Sequence, residues 1–277
     1  MLKIRLPVGA WGWLHVLPII ATMLLAVTLP TWLSDQLLHD AAPSLSASSA
    51  PVLEIVKFAL FVLLAIIGVA LVDRKWPTRD AFGLGEWNVR DTVLLAVVAF
   101  GLLEMVVWVL EETVPGARAA SAEVRESLGI GKSRFVDAML VLTITVAAPV
   151  GEEFLCRGLV FRVARDALAR TFKGLPRWLP LLAATLASSY FFMSLHGGGG
   201  QNVQIYMIGL LGLICALAYA ITGSLRAAVL IHSLNNAYAM LEMTAFCVDP
   251  KLMWVLAFVG PALSLLVCDA LERVLRK

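Results

Sequence analysis

With 277 residues, 60% of them hydrophobic and 15% charged, and a mean hydropathy of +0.85, the chain is too apolar for a soluble protein and leaves no stretch long enough for a separate soluble core. The formal net charge is only +2, and the Lys and Arg gather in a few loops, a distribution that speaks to topology and gives no nucleic-acid signal. The four cysteines, Cys156, Cys215, Cys247 and Cys268, lie mostly in apolar runs without CxxC spacing, so neither a disulfide framework nor a zinc knuckle is indicated.

A helix crosses the hydrocarbon layer with about 20 mostly apolar residues. By that rule the sequence predicts eight spans, at 13–33, 52–72, 92–110, 135–161, 179–195, 203–221, 225–245 and 252–271. The fold class is therefore all-α, a polytopic membrane helix bundle of about eight transmembrane helices forming one integral-membrane domain over 1–277. The first span follows Lys3 and Arg5 but is long for a signal-peptide core and lacks a small-x-small cleavage site, so it reads as a retained helix.

Basic residues fall on alternate breaks: Lys3 and Arg5; Arg74, Lys75, Arg79 and Arg90; Arg162, Arg165, Arg170, Lys173 and Arg177; Arg226; Arg273, Arg276 and Lys277. The breaks at 34–51, 197–202 and 246–250 have none, and only 111–134 is mixed. Excess positive charge marks the cytoplasmic side, so both termini are expected there. Residues 41–50 read as a flexible outer loop and 119–128 as a short interfacial helix. The fourth helix is expected to run past the membrane to Arg170, its arginines lying at the headgroups. Gly209, Gly212, Ala216 and Ala220 share one face of the sixth span, the mark of tight helix packing.

Against this background one stretch is costly. The apolar run 139–150 leads into Gly151-Glu152-Glu153-Phe154-Leu155-Cys156-Arg157, and insertion scales charge roughly 2.5–3.5 kcal/mol for each ionised side chain at mid-membrane. Of the four histidines, His15 and His39 have no polar partner at helical spacing. His196 closes the fifth span one turn after Phe192, ahead of Gly197–Gly200, and His232 shares a face of the seventh with Asn236. Three apolar helices thus each bring polar groups that lipid would penalise, and burial in one central cavity satisfies them all.

Glu152-Glu153-x-x-x-Arg157, Phe192-x-x-x-His196 and His232-x-x-x-Asn236 resemble, in order and spacing, the three motifs of the CAAX-protease and bacteriocin-processing (Abi) family of intramembrane endopeptidases. The resemblance covers about 136–244, within a catalytic core set at 135–245. It implies an eight-helix protease with Glu152 as the base that activates water, His196 assisting, His232 and Asn236 stabilising the oxyanion, and Glu153 and Arg157 supporting the site. The residue chemistry is compatible on its own terms. Peptide hydrolysis needs a base, a donor for the leaving amine and dipoles for the oxyanion. Glu153 and Arg157, four apart, can pair and leave Glu152, about 100° round the helix, free. His232 and Asn236, one turn apart, can donate to one oxygen.

Two versions of this chemistry stay open. Glu152, His196 and His232 would supply three ligands for a catalytic divalent metal such as zinc, although HExxH is absent; the metal-independent version is preferred. Depth is a further difficulty: with the termini inside, Glu152 and His232 fall toward the cytoplasmic side and His196 toward the outer. Either the fourth helix sets Glu152 nearer mid-membrane, or Gly197–Gly200 sinks into the protein, or the topology is wrong.

Other readings are an inactive scaffold or immunity protein, a proton-coupled transporter, or a protease with Cys156 as nucleophile and His196 as base. Glu54 with Lys57, and Glu242, read as helix-pair charges, and Glu104 as a possible cavity wall. The expected partners are the lipid bilayer and a protein or peptide with a hydrophobic or lipidated tail. The resemblance admits a prenylated CAAX protein, a secreted peptide or a membrane-anchored sorting tail, and a prokaryotic inner membrane is the preferred location.

Overall fold

A computed structural model describes residues 11–38, 43–85, 87–114, 130–196 and 203–276, and among these all regular structure is helical. Eight helices follow the eight predicted spans: α1 (Val16–Leu38), α2 (Pro43–Asp73), α3 (Val89–Thr113), α4 (Arg134–Thr171), α5 (Trp178–Leu195), α6 (Val203–Thr222), α7 (Leu225–Met243) and α8 (Pro250–Val274). Six of them carry stretches long and apolar enough to cross a membrane. The exceptions are α1, with a shorter apolar stretch at Trp13–Ala26, and α7, whose sequence carries Arg226, His232, Asn235, Asn236 and Glu242. The protein is an integral-membrane, all-α polytopic bundle. Residues 43–50, expected as loop, are the first turns of α2. His39, the predicted 119–128 helix and Gly197–Gly200 lie outside the described residues.

Helix α4 is the central post, with 72% of its most apolar window enclosed against 11% for α3. It is not a uniform α-helix. Ordinary turns at Arg134–Leu142, Ala148–Glu153 and Arg162–Thr171 are separated by π-helical stretches at Thr143–Ala147 and Phe154–Phe161. A π turn widens the backbone ladder, and such turns concentrate at functional sites. Here neighbouring side chains donate to carbonyls of the widened turns: Asn236 Nδ2 to Ile144 O at 2.8 Å, Ser233 Oγ to Thr145 O, and Ser188 Oγ to Cys156 O at 2.8 Å. Helices α5 and α7 are thereby hydrogen-bonded to α4 on either side of the short α-helical piece that carries Glu152 and Glu153.

One end of the bundle is closed by ion pairs. Arg226, 0% exposed, reaches Asp269 (2.9 Å) and Glu272 (2.5 Å) on α8 and donates to the carbonyls of Leu84 (3.3 Å) and Gly85 (3.2 Å) in the α2–α3 connection. Glu272 also binds Arg79 and Arg276. Arg162 donates to Tyr219, and Arg165 pairs with Asp166 at 2.6 Å. The sequence reading set Arg162 and Arg165 at the headgroups and took Arg226 as a loop marker. All three are buried: Arg226 is neutralised by carboxylates distant in sequence, Arg165 by the adjacent Asp166, and Arg162 donates to the distant Tyr219 hydroxyl. Exposed Arg74, Lys75, Arg170, Lys173, Arg177 and Arg273 carry the positive charge of this end instead.

Two glycines let helices approach closely. A Cβ on Gly151 would stand 2.8 Å from both the Cβ and the carbonyl oxygen of Phe58, so α2 touches α4 immediately beside Glu152. A Cβ on Gly212 would meet the Phe192 ring at 3.0 Å, which makes the small-residue face of α6 the packing surface it was expected to be.

Candidate active site

Helices α4 and α5 form an antiparallel hairpin, and its geometry removes the depth difficulty. Glu152 lies roughly as far before the end of α4 at Thr171 as His196 lies after the start of α5 at Trp178, and at about 1.5 Å per residue the two reach the same height. Glu152 Oε2 and His196 Nε2 are 3.5 Å apart. His232, in the second turn of α7, arrives from a third helix with its Nε2 4.0 Å from the same Glu152 oxygen. Glu152 is near the middle of a 38-residue helix, at the height of His196.

The second glutamate faces inward. Glu153 and Arg157, both 0% exposed, form the anticipated pair at 2.8 Å (Oε1–Nη1). The same Glu153 oxygen is also 3.0 Å from His232 Nδ1. Arg157 in turn donates to Gly212 O on α6 and lies 4.8 Å from the centre of the Phe192 ring, which contacts both histidines, at 4.7 Å from His196 and 5.3 Å from His232. Phe192 is the apolar partition around which the charged groups are arranged.

These contacts fix the histidines. A carboxylate accepts only, so His232 Nδ1 carries the hydrogen it gives to Glu153, and a neutral His232 turns an Nε2 lone pair toward Glu152. His196 Nδ1 donates to the carbonyl of Phe192 at 3.0 Å, with the same result at its Nε2. Glu152 Oε2 is buried without a hydrogen-bond partner. Two acceptors, Glu152 Oε2 and His196 Nε2, thus stand 3.5 Å apart at one place, where either can take a hydrogen from a water. The site opens on the His196 side, whose side chain is 29% exposed against 9% for Glu152.

Five of the six predicted site residues, Glu152, Glu153, Arg157, His196 and His232, form one contact network. Asn236 lies one turn from His232 but is tied to Ile144 O and receives a hydrogen bond from Asn235 at 3.1 Å, so one of its two N–H donors anchors α7. Among the described residues no group of three or more His, Cys, Asp and Glu side chains is placed to hold a metal ion, so the trio of Glu152, His196 and His232 does not fit the ligand set considered for zinc. Cys156 is wholly enclosed at 0% exposure. Glu104 faces Glu242 and Glu111 rather than the Glu152 network. His15 is bound to Asp73 at 2.9 Å, away from the site.

The sequence reading passed over one neighbour. Lys57 of α2, next to the Phe58 that touches Gly151, exerts its charge on both Glu152 and His196. Its signal was the Glu54–Lys57 pair, one turn apart in an otherwise apolar span.

Comparison with known families matches residues 134–238 to the family described as type II CAAX prenyl endopeptidase Rce1-like. Searches of curated proteins and of solved structures returned no match. That segment, which runs from the first residue of α4 into α7 and holds all six predicted site residues, is similar to the Rce1-like branch of the CAAX-protease family.

Proposed function

We propose that the protein is an intramembrane endopeptidase that hydrolyses a peptide bond near the carboxyl end, or in the membrane-adjacent segment, of a protein or peptide with a hydrophobic or lipidated tail. The observation that carries this reading is the buried, unpartnered Glu152 oxygen facing the Nε2 atoms of His196 and His232, each on a different helix. An ionisable group kept in an apolar bundle without a partner detracts from stability, and such groups mark function.

Water held by Glu152 and His196 attacks the scissile carbonyl carbon, and its proton passes to Glu152. The oxyanion that forms is stabilised by the second N–H of Asn236 and by His232 in its imidazolium form, whose Nδ1–H stays with Glu153 while Nε2–H donates to the oxyanion. Collapse of the tetrahedral intermediate breaks the C–N bond, and the proton held by Glu152 goes to the leaving amine, directly or through His196. Glu153 holds the ring of His232, and Arg157 neutralises Glu153. No step is routed through a metal. The catalytic core spans 135–245 within a single membrane domain over 1–277, and the basic end of the bundle faces the cytoplasm of a prokaryotic inner membrane, with both termini on that side.

The test is cleavage, by purified protein in detergent, of a panel of hydrophobic-tail and prenylated peptides, comparing wild type, Glu152→Ala and chelator-treated enzyme. We expect wild type to cut, Glu152→Ala to be inactive and chelation to leave activity in place. Undiminished cleavage by Glu152→Ala would sink the catalytic assignment. No cleavage by wild type of any peptide in the panel would favour the scaffold reading.

A further inference from the structure

Lys57 is not used by the reaction as described. It stands in α2, inside the long apolar stretch Pro51–Asp73, where a cation is retained only with a partner or a task. Its Nζ contacts Glu54 and lies 4.7 Å from the centre of the Phe58 ring. Phe58 is the residue whose backbone touches Gly151, so the lysine is carried toward Glu152 by this contact between α2 and α4. Its charge acts on both Glu152 and His196.

The two cations near the catalytic carboxylate differ in what they offer. Arg157 is sealed at 0% exposure and committed to Glu153 and Gly212 O. Lys57 is 26% exposed and its Glu54 partner 48%, so neither is sealed in the bundle as Arg157 is. An ammonium has three N–H donors, and Glu54 engages one. Lys57 therefore presents charged donors to a chain arriving at Glu152, on a side where the protein's own carboxylates would otherwise repel an anionic end.

We propose that Lys57 binds the free α-carboxylate of the substrate and so makes the enzyme selective for bonds close to a chain's carboxyl terminus. The assignment rests on the endopeptidase reading above and deepens it: a segment with a free carboxyl end is favoured, and an internal or amidated segment is not. Lys57 is a specificity residue in this scheme, with Glu54 and Phe58 holding its ammonium in place.

The experiment compares one hydrophobic-tail peptide as the free acid and as the C-terminal amide, cut by wild type, Lys57→Met and Lys57→Arg. For wild type, kcat/KM is expected to favour the acid by about tenfold, the scale of one charge-assisted hydrogen bond. Lys57→Met should bring the acid-to-amide ratio close to one, and Lys57→Arg should restore most of it. The ratio is internal to each variant, so a general loss of folded protein does not mimic the result. Equal cleavage of acid and amide by wild type, or a preference that survives Lys57→Met, overturns the assignment while leaving the protease intact. Failure of wild type to cut either peptide overturns the protease reading and this assignment with it.

Discussion

The carboxylate of Glu153 and Nδ1 of His232 are 3.0 Å apart, and this contact decides which nitrogen of the histidine faces the site. Glu153 is thus more than the counter-ion of Arg157: it sets the tautomer and orientation of a ring on another helix, as outer partners do for catalytic histidines elsewhere. The adjacent glutamates differ in their partners: Glu153 Oε1 holds both Arg157 and His232, although its Oε2 is unpartnered, whereas Glu152 Oε2 has no hydrogen-bond partner and meets the histidines only at 3.5 and 4.0 Å.

That contrast separates two variants. Glu152→Gln removes the proposed base and should lower kcat by roughly 10²–10⁴-fold. It also replaces an unsatisfied buried carboxylate, so the melting temperature in detergent should equal or exceed that of wild type. A marked fall in melting temperature would mean that Glu152 is structural.

Glu153→Leu should behave in the reverse manner. It strands the guanidinium of Arg157 in a dry interior, and breaking such a pair costs about 3–5 kcal/mol. Pairing it with Arg157→Met removes the stranded charge, so the double variant should unfold at a higher temperature than Glu153→Leu alone. Thermal unfolding of the three proteins decides the matter, and additive losses would contradict the pairing.

Asn236 and Ser233 test the π turns of α4. Ser233→Ala leaves the Thr145 carbonyl without its side-chain donor and should cost about 1–3 kcal/mol of stability. Asn236→Ala does the same to Ile144 and also removes a proposed oxyanion donor, so its kcat should fall by a further 10²–10³-fold or so. Equal activity of the two variants would remove Asn236 from the chemistry.

Cys156→Ala is expected to keep its activity. The thiol is completely enclosed and the residue's carbonyl is committed to Ser188, an arrangement that suits packing rather than attack on a substrate. Inactivity of a folded Cys156→Ala protein, assayed on the same peptides, would revive the cysteine mechanism.

Gly151→Val should damage both fold and activity. Its side chain would meet Phe58 at 2.8 Å, and because one of the atoms met is a backbone oxygen, trimming Phe58 to Ala cannot restore the space. Overpacking of this kind costs about 1–3 kcal/mol and would shift Glu152 away from His196. Wild-type cleavage rates in Gly151→Val would show that α2 does not set the position of Glu152.

The eight helices were legible because span length and apolarity are local properties, and the site residues because lipid penalises each polar group in its own segment. What was hidden depends on contacts between segments. No residue in 143–147 announces a π turn; the donors that meet its carbonyls, Asn236 and Ser233, lie on α7. Arg162 and Arg226 looked like membrane-surface markers because Tyr219, Asp269 and Glu272 could not be placed beside them. The height of His196 was misjudged for a similar reason: the extension of α4 was read correctly, but its pairing with α5 along the hairpin was not drawn.

A π turn is an α-helix with one residue too many, and α4 contains such turns on both sides of Glu152 and Glu153. The helix therefore works as three rods keyed to one another at fixed angles, with the acid pair on the middle rod. Were Thr143–Ala147 wound as ordinary α-helix with no residue removed, the middle rod would turn by about 100° relative to the first. Every residue of the three motifs would keep its spacing in such a winding, yet the carboxylates would be turned away from their histidines. Inheritance of this site depends on the phase of one helix as much as on the identity of its side chains.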